Sequence, residues 1–152
     1  MSLNLSTRDV MSKNVATLSP EMNLEEAWAL LSKYKISGAP VVGENGNLMG
    51  ILSQTDLARE AFLKHFSGFR DDFSHNMTSY FQDLGEAPLP DFFKRIKIAD
   101  IMNQDVLTAS VTEPVSAIAK KMRQHHVHRI VIVDREKVVG IVSALDLLSL
   151  IN

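Results

Sequence analysis

Apolar and polar residues alternate with two different periods in the first third of the chain, and the change of period predicts a helix followed by a β-hairpin. After Asn23, a favourable N-cap residue, apolar residues recur at the spacing of one helix face. Its members are Leu24, Ala27, Trp28, Leu31 and Tyr34. The apolar runs Ala39–Val42 and Leu48–Leu52 then flank the turn-rich sequence Glu44–Asn47. Short apolar runs on either side of such a turn are typical of two hairpin strands.

Three shorter elements complete this first unit. The pattern predicts a helical turn at Arg8–Met11 and a brief strand at Ala16–Thr17. A last helix is predicted to begin between Ser53 and Asp56, because hydroxyl and carboxylate oxygens accept hydrogen bonds from the free amides of a helix start. The unit therefore has the element order β-α-β-β-α, preceded by one helical turn.

The same unit occurs a second time in the chain. Asp9–Ser19 matches Asp100–Ser110, 91 positions later, with identical Asp, Met, Val, Thr and Ser residues. Gly50–Leu57 matches Gly140–Leu147 at an offset of 90, so one residue is missing from the intervening loop. This second match has identical Gly, Ile, Ser, Asp and Leu residues. Ordered matches of this kind indicate an internal two-fold repeat.

The second copy repeats the predicted elements. They are a helix from Pro114 or Val115 to about His125, strands at Ile130–Val133 and Val138–Val142, and a helix at Ser143–Ile151. A unit of about fifty residues hides only a small fraction of its surface alone, so the two copies are expected to pack together. Packing of two related units creates two related clefts, and such clefts are common ligand sites.

Composition narrows the classes of protein. The chain has 152 residues, 45% hydrophobic and 22% charged, which is typical of a globular protein. It has no apolar run of about 18 residues and no secretory signal, so we expect a cytoplasmic protein without a membrane partner. The absence of cysteine excludes disulfides, thiolate zinc sites and cysteine nucleophiles. A net charge of -2 without a basic run argues against nucleic acid as a partner.

The order of the motifs resembles that of a known family. Each copy carries D-h-M, where h is apolar, then V-x-T, an amphipathic helix, an apolar strand, a turn and G-h-x-S-x-x-D. This order is similar to that of the CBS (cystathionine β-synthase) domain, present twice as in a CBS pair. The resemblance implies an α/β fold in which two β-α-β-β-α units are related by pseudo-two-fold symmetry. The expected division is a first CBS domain at 1–60, a helical aromatic-rich insert at 61–96 and a second CBS domain at 97–152.

The resemblance also implies a function, the binding of an adenine nucleotide in clefts between the two copies. AMP, ADP or ATP is the expected ligand, with S-adenosylmethionine or NAD as alternatives, and no cofactor is required. Each cleft would combine residues from both copies. The first would join Ile51, Ser53, Thr55 and Asp56 to Asp105, Leu107, Val127, His128 and Arg129. The second would join Ile141, Ser143 and Asp146 to Asn14, Ala16, Ile36, Ser37 and Ala39.

The two expected clefts differ in charge. His128-Arg129 matches a His-Arg pair that contacts phosphates in nucleotide-sensing members of the family, and a guanidinium fork can bind phosphate oxygens. The counterpart in the first copy, Ser37-Gly38, is uncharged, and Leu145 replaces the hydroxyl of Thr55. We therefore expect a charged nucleotide in the first cleft. The second cleft is expected to be empty, weaker, or suited to a less phosphorylated ligand.

The G-h-x-S-x-x-D motif allows two roles for its polar residues. An ionised Asp56 or Asp146 offers two acceptor oxygens for the hydroxyls of a ribose. Ser53 or Ser143, at a helix start, can donate a hydrogen bond to a phosphate oxygen. The same side chains are also common helix caps, and the two roles can coexist. The motif glycines permit close approach of either a ligand or the neighbouring copy.

Three histidines, His125, His126 and His128, lie where the second-copy helix is predicted to end. Imidazole is a common metal ligand, but no acidic or Cys partner is close in sequence, so a metal site is not expected. A helix C-terminus favours cationic side chains, which assigns His125 and His126 to the helix end. His128 is assigned to the phosphate.

The segment between the copies holds eight of the ten aromatic residues. They are Phe62, Phe66, Phe69, Phe73, Tyr80, Phe81, Phe92 and Phe93. Either these rings extend the core or cover the pair, or they contact a second copy or an effector, since aromatic residues are enriched at interfaces. Ala87–Pro90 resembles a linker that returns the chain to the second copy.

Two classes of function follow. The first is a regulatory module that senses a nucleotide, forms a homodimer of CBS pairs and signals to an effector protein whose identity the sequence does not give. The second is a non-catalytic assembly protein with vestigial ligand sites that acts through its aromatic insert. An enzyme is not expected, because no catalytic triad, metal motif, glycine-rich phosphate loop or suitable carboxylate pair occurs in the sequence.

Overall fold

The computed structural model describes residues 4–65 and 91–151, except for the side chains of 61–65. The elements of the first copy are α1 (Thr7–Val10), α2 (Leu24–Lys33), β1 (Gly38–Val42), β2 (Leu48–Ser53) and α3 (Gln54–His65). Two 3₁₀ turns follow, at Asp91–Lys94 and Ile98–Asp100. The elements of the second copy are β3 (Thr108–Ser110), α4 (Val115–His125), β4 (Arg129–Asp134), β5 (Lys137–Ser143) and α5 (Ala144–Leu148). The expected α/β fold with two repeated units is confirmed.

Both hairpins form as the sequence predicts. β1 pairs with β2 in antiparallel fashion, and β4 pairs with β5 in the same way. The first turn contains Gly46 at φ 79°, a conformation that suits glycine. The second turn is shorter, with Arg135 and Glu136 both at positive φ, as in a two-residue hairpin loop. The difference in turn length accounts for the change of repeat offset from 91 to 90.

The prediction of a brief strand at Ala16–Thr17 is wrong. Only Leu18 pairs there, through a single parallel bridge to Val41, whereas its counterpart Ala109 lies in the three-residue strand β3. The Leu18 amide donates to the Pro40 carbonyl, and the Val42 amide donates to the Leu18 carbonyl, both at 2.9 Å. Pro40 has no amide hydrogen to donate towards Ala16, so the ladder stops.

Two helix predictions need correction at their ends. Tyr34 does not belong to the buried face of α2, because it is the C-cap residue and 54% exposed. α5 ends at Leu148 and does not continue to Ile151. Next to this end, the Ser149 hydroxyl donates to the Asp146 carbonyl at 2.7 Å, a local bond that competes with regular helix continuation.

Each copy completes its core with a segment from the other half of the chain. Phe93, Ile96 and Ile98 are buried in the first core, among Leu24, Ala27, Leu31 and other residues of that copy. In return, Val10 and Met11 pack against the second core. The backbone bonds are equivalent: the Leu24 amide donates to Ile96 and the Val115 amide donates to Leu5, both at 3.0 Å. We call residues 4–12 and 91–103 the exchanged arms.

The expected insert falls mostly on residues 66–90, which lie outside the described residues. Of its aromatic residues, Phe93 is fully buried in the first core and Phe92 packs against it, with the two rings 5.2 Å apart edge to face. The core interpretation is therefore confirmed for these two rings. Phe62 lies in α3, but its side chain is outside the description, as are Phe66, Phe69, Phe73, Tyr80 and Phe81. The domain limits at 60 and 96 stay a prediction, with α3 running across the first of them.

Candidate functional site

Ser53 and Asp56 form a capping box at the start of α3. The Ser53 amide and hydroxyl both donate to Asp56 Oδ2, at 2.8 and 2.9 Å. The Asp56 amide donates back to Ser53 Oγ at 3.2 Å. Among the residues that the structure describes, the second carboxylate oxygen, Oδ1, has only a long contact of 3.4 Å with exposed Arg59. The capping role is therefore confirmed, and it leaves one carboxylate oxygen available for a second hydrogen-bond donor.

The second copy repeats this arrangement at the start of α5. The Ser143 amide donates to Asp146 Oδ2 at 2.8 Å, and the Asp146 amide donates to Ser143 Oγ at 3.1 Å. α5 has only five residues, compared with twelve in α3. Its start therefore provides a weaker helix dipole for a bound anion.

The residue before each hairpin is held against the last helix of its own copy. The Gln54 amide donates to the Ser37 carbonyl, and the Ala144 amide donates to the His128 carbonyl, both at 2.8 Å. Ser37, which the sequence assigned to the second cleft, thus lies beside the start of α3. His128 lies in the same way beside the start of α5.

Arg129 crosses from one copy to the other. Its guanidinium donates a hydrogen bond to the Ser37 hydroxyl, and Ser37 is itself bonded to the start of α3. Both side chains are exposed. The structure therefore places the one guanidinium of the expected phosphate pair next to the helix start that carries Asp56.

The exchanged arms bring further expected residues together across the copies. The backbones of Ile51 and Asn103 exchange two hydrogen bonds of 2.9 Å, and the Asp105 amide donates to Asn103 Oδ1 at 3.0 Å. In the second cleft, Ile141 exchanges equivalent bonds of 2.9 and 3.1 Å with Ser12, which lies two residues before Asn14. Each cleft is thus bordered by a strand of one copy and the arm that precedes the other.

The motif glycines make this approach possible. A Cβ atom on Gly50 would lie 2.8 Å from Met102 Sδ and 2.9 Å from the Asn103 carbonyl oxygen. On Gly140 it would lie 2.5 Å from Met11 Sδ. The sequence left two candidates for the close approach to these glycines, a ligand and the neighbouring copy. In the structure, residues of the neighbouring copy lie against both glycines.

The remaining expected contacts differ in accessibility. Thr55, Asn14 and Asp105 are exposed. Partly buried positions are Ala16, Ile36, Leu107 and Val127. Ala39 is 1% exposed and belongs to the first core, so the structure leaves almost none of this residue accessible to a ligand.

The histidines lie at the helix end, as assigned. α4 ends at His125, and His126 follows in the left-handed conformation with its amide bonded to the Met122 carbonyl. Among the side chains of 4–60 and 91–151, no three of His, Asp or Glu group as metal ligands would. In the same ranges, no helix has the length and apolar character needed to cross a bilayer.

A large apolar groove lies on the helical side of the second copy, and sequence reasoning missed it. Its volume is about 770 Å³. It runs between α4 and α5, and its lining includes Ala119, Met122, Leu147, Leu148 and Ile151. The sequence signal that could have revealed it is a size difference, because Ala119 stands where the first copy has Trp28.

Comparison with known proteins agrees with this architecture. The profile of the CBS domain matches residues 8–62 and again 98–152. The CBS domain-containing protein YhcV of Bacillus subtilis is 28% identical over 142 residues, covering 93% of this chain and 82% of that protein. Among solved structures, the CBS domain pair of protein MJ0100, in complex with 5′-methylthioadenosine and S-adenosyl-L-methionine, is 27% identical with a TM-score of 0.70. That match covers 97% of this chain and 95% of the other.

Other relatives are longer proteins. The homoserine O-acetyltransferase of Methanococcoides burtonii is 29% identical over 148 residues, which are 97% of this chain but 24% of that enzyme. The similarity to the enzyme therefore concerns a minor part of its length. Both the profile match and the repeated fold lead to one assignment: the chain belongs to the CBS domain family and carries two CBS domains in tandem.

Proposed function

We propose that this CBS pair is a regulatory module that binds an adenine nucleotide, such as AMP, ADP or ATP, between its two copies and signals the occupancy to a partner protein. The carrying observation is the junction of Arg129, Ser37 and the Asp56 capping box at the start of α3. The MJ0100 pair, solved with two adenosine derivatives, supports the ligand class.

The first cleft has the chemistry that a nucleotide requires. Asp56 Oδ1 is available to accept a hydrogen bond from a ribose hydroxyl, while Oδ2 holds the cap. Arg129 is exposed and bonded only to a hydroxyl in the described contacts, so phosphate oxygens would be stronger acceptors than its present partner. The other proposed contacts are Ile51, Ser53, Thr55, Asp105, Leu107, Val127 and His128.

The second cleft is proposed to accept a less charged adenosine ligand, or none. Ser37-Gly38 supplies no cation, and Leu145, 75% exposed, stands in place of Thr55. An adenosine thioether or S-adenosylmethionine suits this cleft better than ATP does. The proposed contacts are Ile141, Ser143, Asp146, Asn14, Ala16, Ile36, Ser37 and Ala39.

We further propose that the module is non-catalytic, cytoplasmic and a homodimer. The exposed apolar side chains Leu145, Met49 and Tyr34 offer surface for self-association. Light scattering over a range of concentrations tests this point, and a monomer mass at every concentration would refute the dimer.

A thermal-shift screen tests the nucleotide proposal, because a ligand that binds only the native state raises its melting temperature. The ligands are AMP, ADP, ATP, NAD, S-adenosylmethionine and cyclic dinucleotides. Asp56→Asn retains an oxygen for the cap but replaces the second oxygen with an amide donor, so it should abolish the shift with AMP, ADP or ATP while the ligand-free protein stays folded. Asp146→Asn makes the same change in the second cleft and is the matched control, which should keep the shift with AMP, ADP or ATP.

The alternative is an assembly protein with vestigial clefts, which the apolar groove favours. No shift with any ligand would reject the proposed sensor and leave that alternative. An equal shift with AMP, ADP or ATP in Asp56→Asn would reject the first cleft as the site of the charged nucleotide.

A further inference from the structure

Arg129 lies with its backbone beside one helix start and with its side chain beside the other. In the sheet of the second copy it is paired with Ser143, the N-cap residue of α5. Its guanidinium donates to the Ser37 hydroxyl, and the Ser37 carbonyl accepts the amide of Gln54, the first residue of α3. One side chain thus joins the two helix starts that carry the proposed ligand sites.

The repeat provides this link in one direction only. Gly38 is the counterpart of Arg129 and is paired with Ser53, the residue before α3, as Arg129 is paired with Ser143. Glycine has no side chain that could reach back to His128, the counterpart of Ser37. Any effect that passes through the Arg129–Ser37 bond is therefore a property of this sequence and not of the repeated fold.

A phosphate in the first cleft draws Arg129 away from Ser37. Both side chains are exposed, so packing does not hold the guanidinium on the hydroxyl. A phosphate oxygen is charged and is a stronger acceptor than a serine hydroxyl. A nucleotide phosphate that binds Arg129 therefore replaces Ser37 as its partner.

A ligand in the second cleft has to break the same bond. Ser37 is one of the proposed contacts of that cleft, and its hydroxyl is the atom to which Arg129 is bound. The guanidinium occupies the space from which a ligand would reach this hydroxyl. A ligand that uses Ser37 therefore displaces Arg129, even where the ligand itself carries no phosphate.

We propose that the Arg129–Ser37 bond is a latch that couples the two clefts, with Ser37 as the residue that positions Arg129 while both clefts are empty. The ligand that binds first supplies the free energy that opens the latch, and the second ligand finds its site already open. A phosphate-bearing nucleotide in the first cleft and an adenosine thioether in the second thus bind with positive cooperativity. This inference rests on the proposed function, because it needs a ligand in each cleft.

The exposure of the bond sets the size of the effect. An exposed contact of a charged side chain contributes little in water, so the latch is closed in only part of the molecules. If a site is open in a fraction of the molecules, the apparent Kd of its ligand rises by the inverse of that fraction. A latch that is closed in about two molecules of three gives about a threefold coupling.

Calorimetric titration of the full chain measures this coupling. AMP is titrated into the chain alone and into the chain saturated with 5′-methylthioadenosine, which has no phosphate to compete for Arg129. The converse titration uses the chain saturated with AMP. We expect each ligand to lower the Kd of the other by about threefold, and by the same factor in both directions, as thermodynamic linkage requires.

Two variants show that the coupling passes through the latch. Ser37→Ala removes the acceptor but retains Arg129, so 5′-methylthioadenosine should no longer change the Kd of AMP. Asp146→Asn impairs the second cleft and should also remove the effect of 5′-methylthioadenosine, while AMP still binds. Ser110→Ala is the matched control, because Ser110 is an exposed serine whose hydroxyl lies 3.0 Å from Thr112 Oγ1, and it should retain the threefold coupling.

Four results would overturn the inference. The first is that neither ligand changes the Kd of the other, and the second is that the coupling persists in Ser37→Ala. The third is a loss of AMP affinity in Ser37→Ala as large as that in Arg129→Ala, which would mean that Ser37 holds the guanidinium ready for the phosphate. The fourth is that only one ligand is ever bound per chain. A chain that binds neither ligand gives a different result, which rejects the proposed function and the latch together.

Discussion

The guanidinium of Arg129 in the second copy donates a hydrogen bond to the hydroxyl of Ser37 in the first. The two residues do not correspond under the repeat, since Arg129 corresponds to Gly38 and Ser37 to His128. The bond therefore breaks the pseudo-symmetry and makes the two clefts chemically different. Arg129 is the residue proposed to bind a phosphate, and in this bond its guanidinium donates to a weak neutral acceptor. A phosphate oxygen, which is a stronger acceptor, can replace the Ser37 hydroxyl.

Removal of the Arg129 side chain and removal of the Ser37 side chain should have different effects on nucleotide affinity. We expect Arg129→Ala to weaken binding of ATP or AMP by about tenfold or more, because a hydrogen bond to a charged group contributes about 1.5–3 kcal/mol. Ser37→Ala should leave the affinity unchanged or slightly higher, since it frees the guanidinium. Calorimetric titration of both variants distinguishes these results, and a similar loss in both would mean that the bond only organises the cleft.

A methyl group on Gly50 should destabilise the contact between the copies. The added Cβ would lie 2.9 Å from the backbone oxygen of Asn103, which cannot move away as a side chain can. We expect Gly50→Ala to lower the free energy of unfolding by about 1–3 kcal/mol, the usual cost of overpacking. Urea unfolding of both proteins measures this difference in the free energy of unfolding.

Gly43→Ala is the matched control for Gly50→Ala. Its Cβ would meet only the side chain of Met49 among the described residues, with Sδ at 3.2 Å and Cγ at 3.9 Å, and that side chain is flexible and exposed. A cost equal to that of Gly50→Ala would contradict the importance of the close approach.

Local features of this fold could be predicted from the sequence because they depend on neighbouring residues. The hairpin at Gly46 and the caps at Ser53 and Ser143 involve contacts within a few positions, and the repeat supplied two independent observations of each. The missing strand at Ala16–Thr17 was not predictable in this way, since it depends on Pro40, which lies beside this segment only in the folded chain.

The rest depends on contacts between residues far apart in sequence. Nothing in the local pattern shows that Phe93 enters the first core, or that Met102 lies against Gly50. The two sets of expected site residues also came from the family resemblance and not from the local sequence pattern. The structure adds the Arg129–Ser37 bond, which joins a member of each set.

The α1 capping box should make stability depend on acid. The Ser6 amide and hydroxyl donate to Asp9 Oδ2 at 2.8 and 2.9 Å, and these bonds lower the pKa of Asp9 below its ordinary value. Because the folded pKa is lower than the unfolded one, the stabilisation is complete above the unfolded pKa and is lost as pH falls through the folded pKa.

Asp9→Asn removes the titrating group and tests this dependence. The difference in melting temperature between the unmodified chain and Asp9→Asn should be largest near neutral pH and should shrink towards zero below about pH 4, near the unfolded pKa of aspartate. Ser6→Ala removes the hydroxyl donor and should reduce the difference. A difference that is constant with pH would show that the carboxylate contributes nothing through its charge.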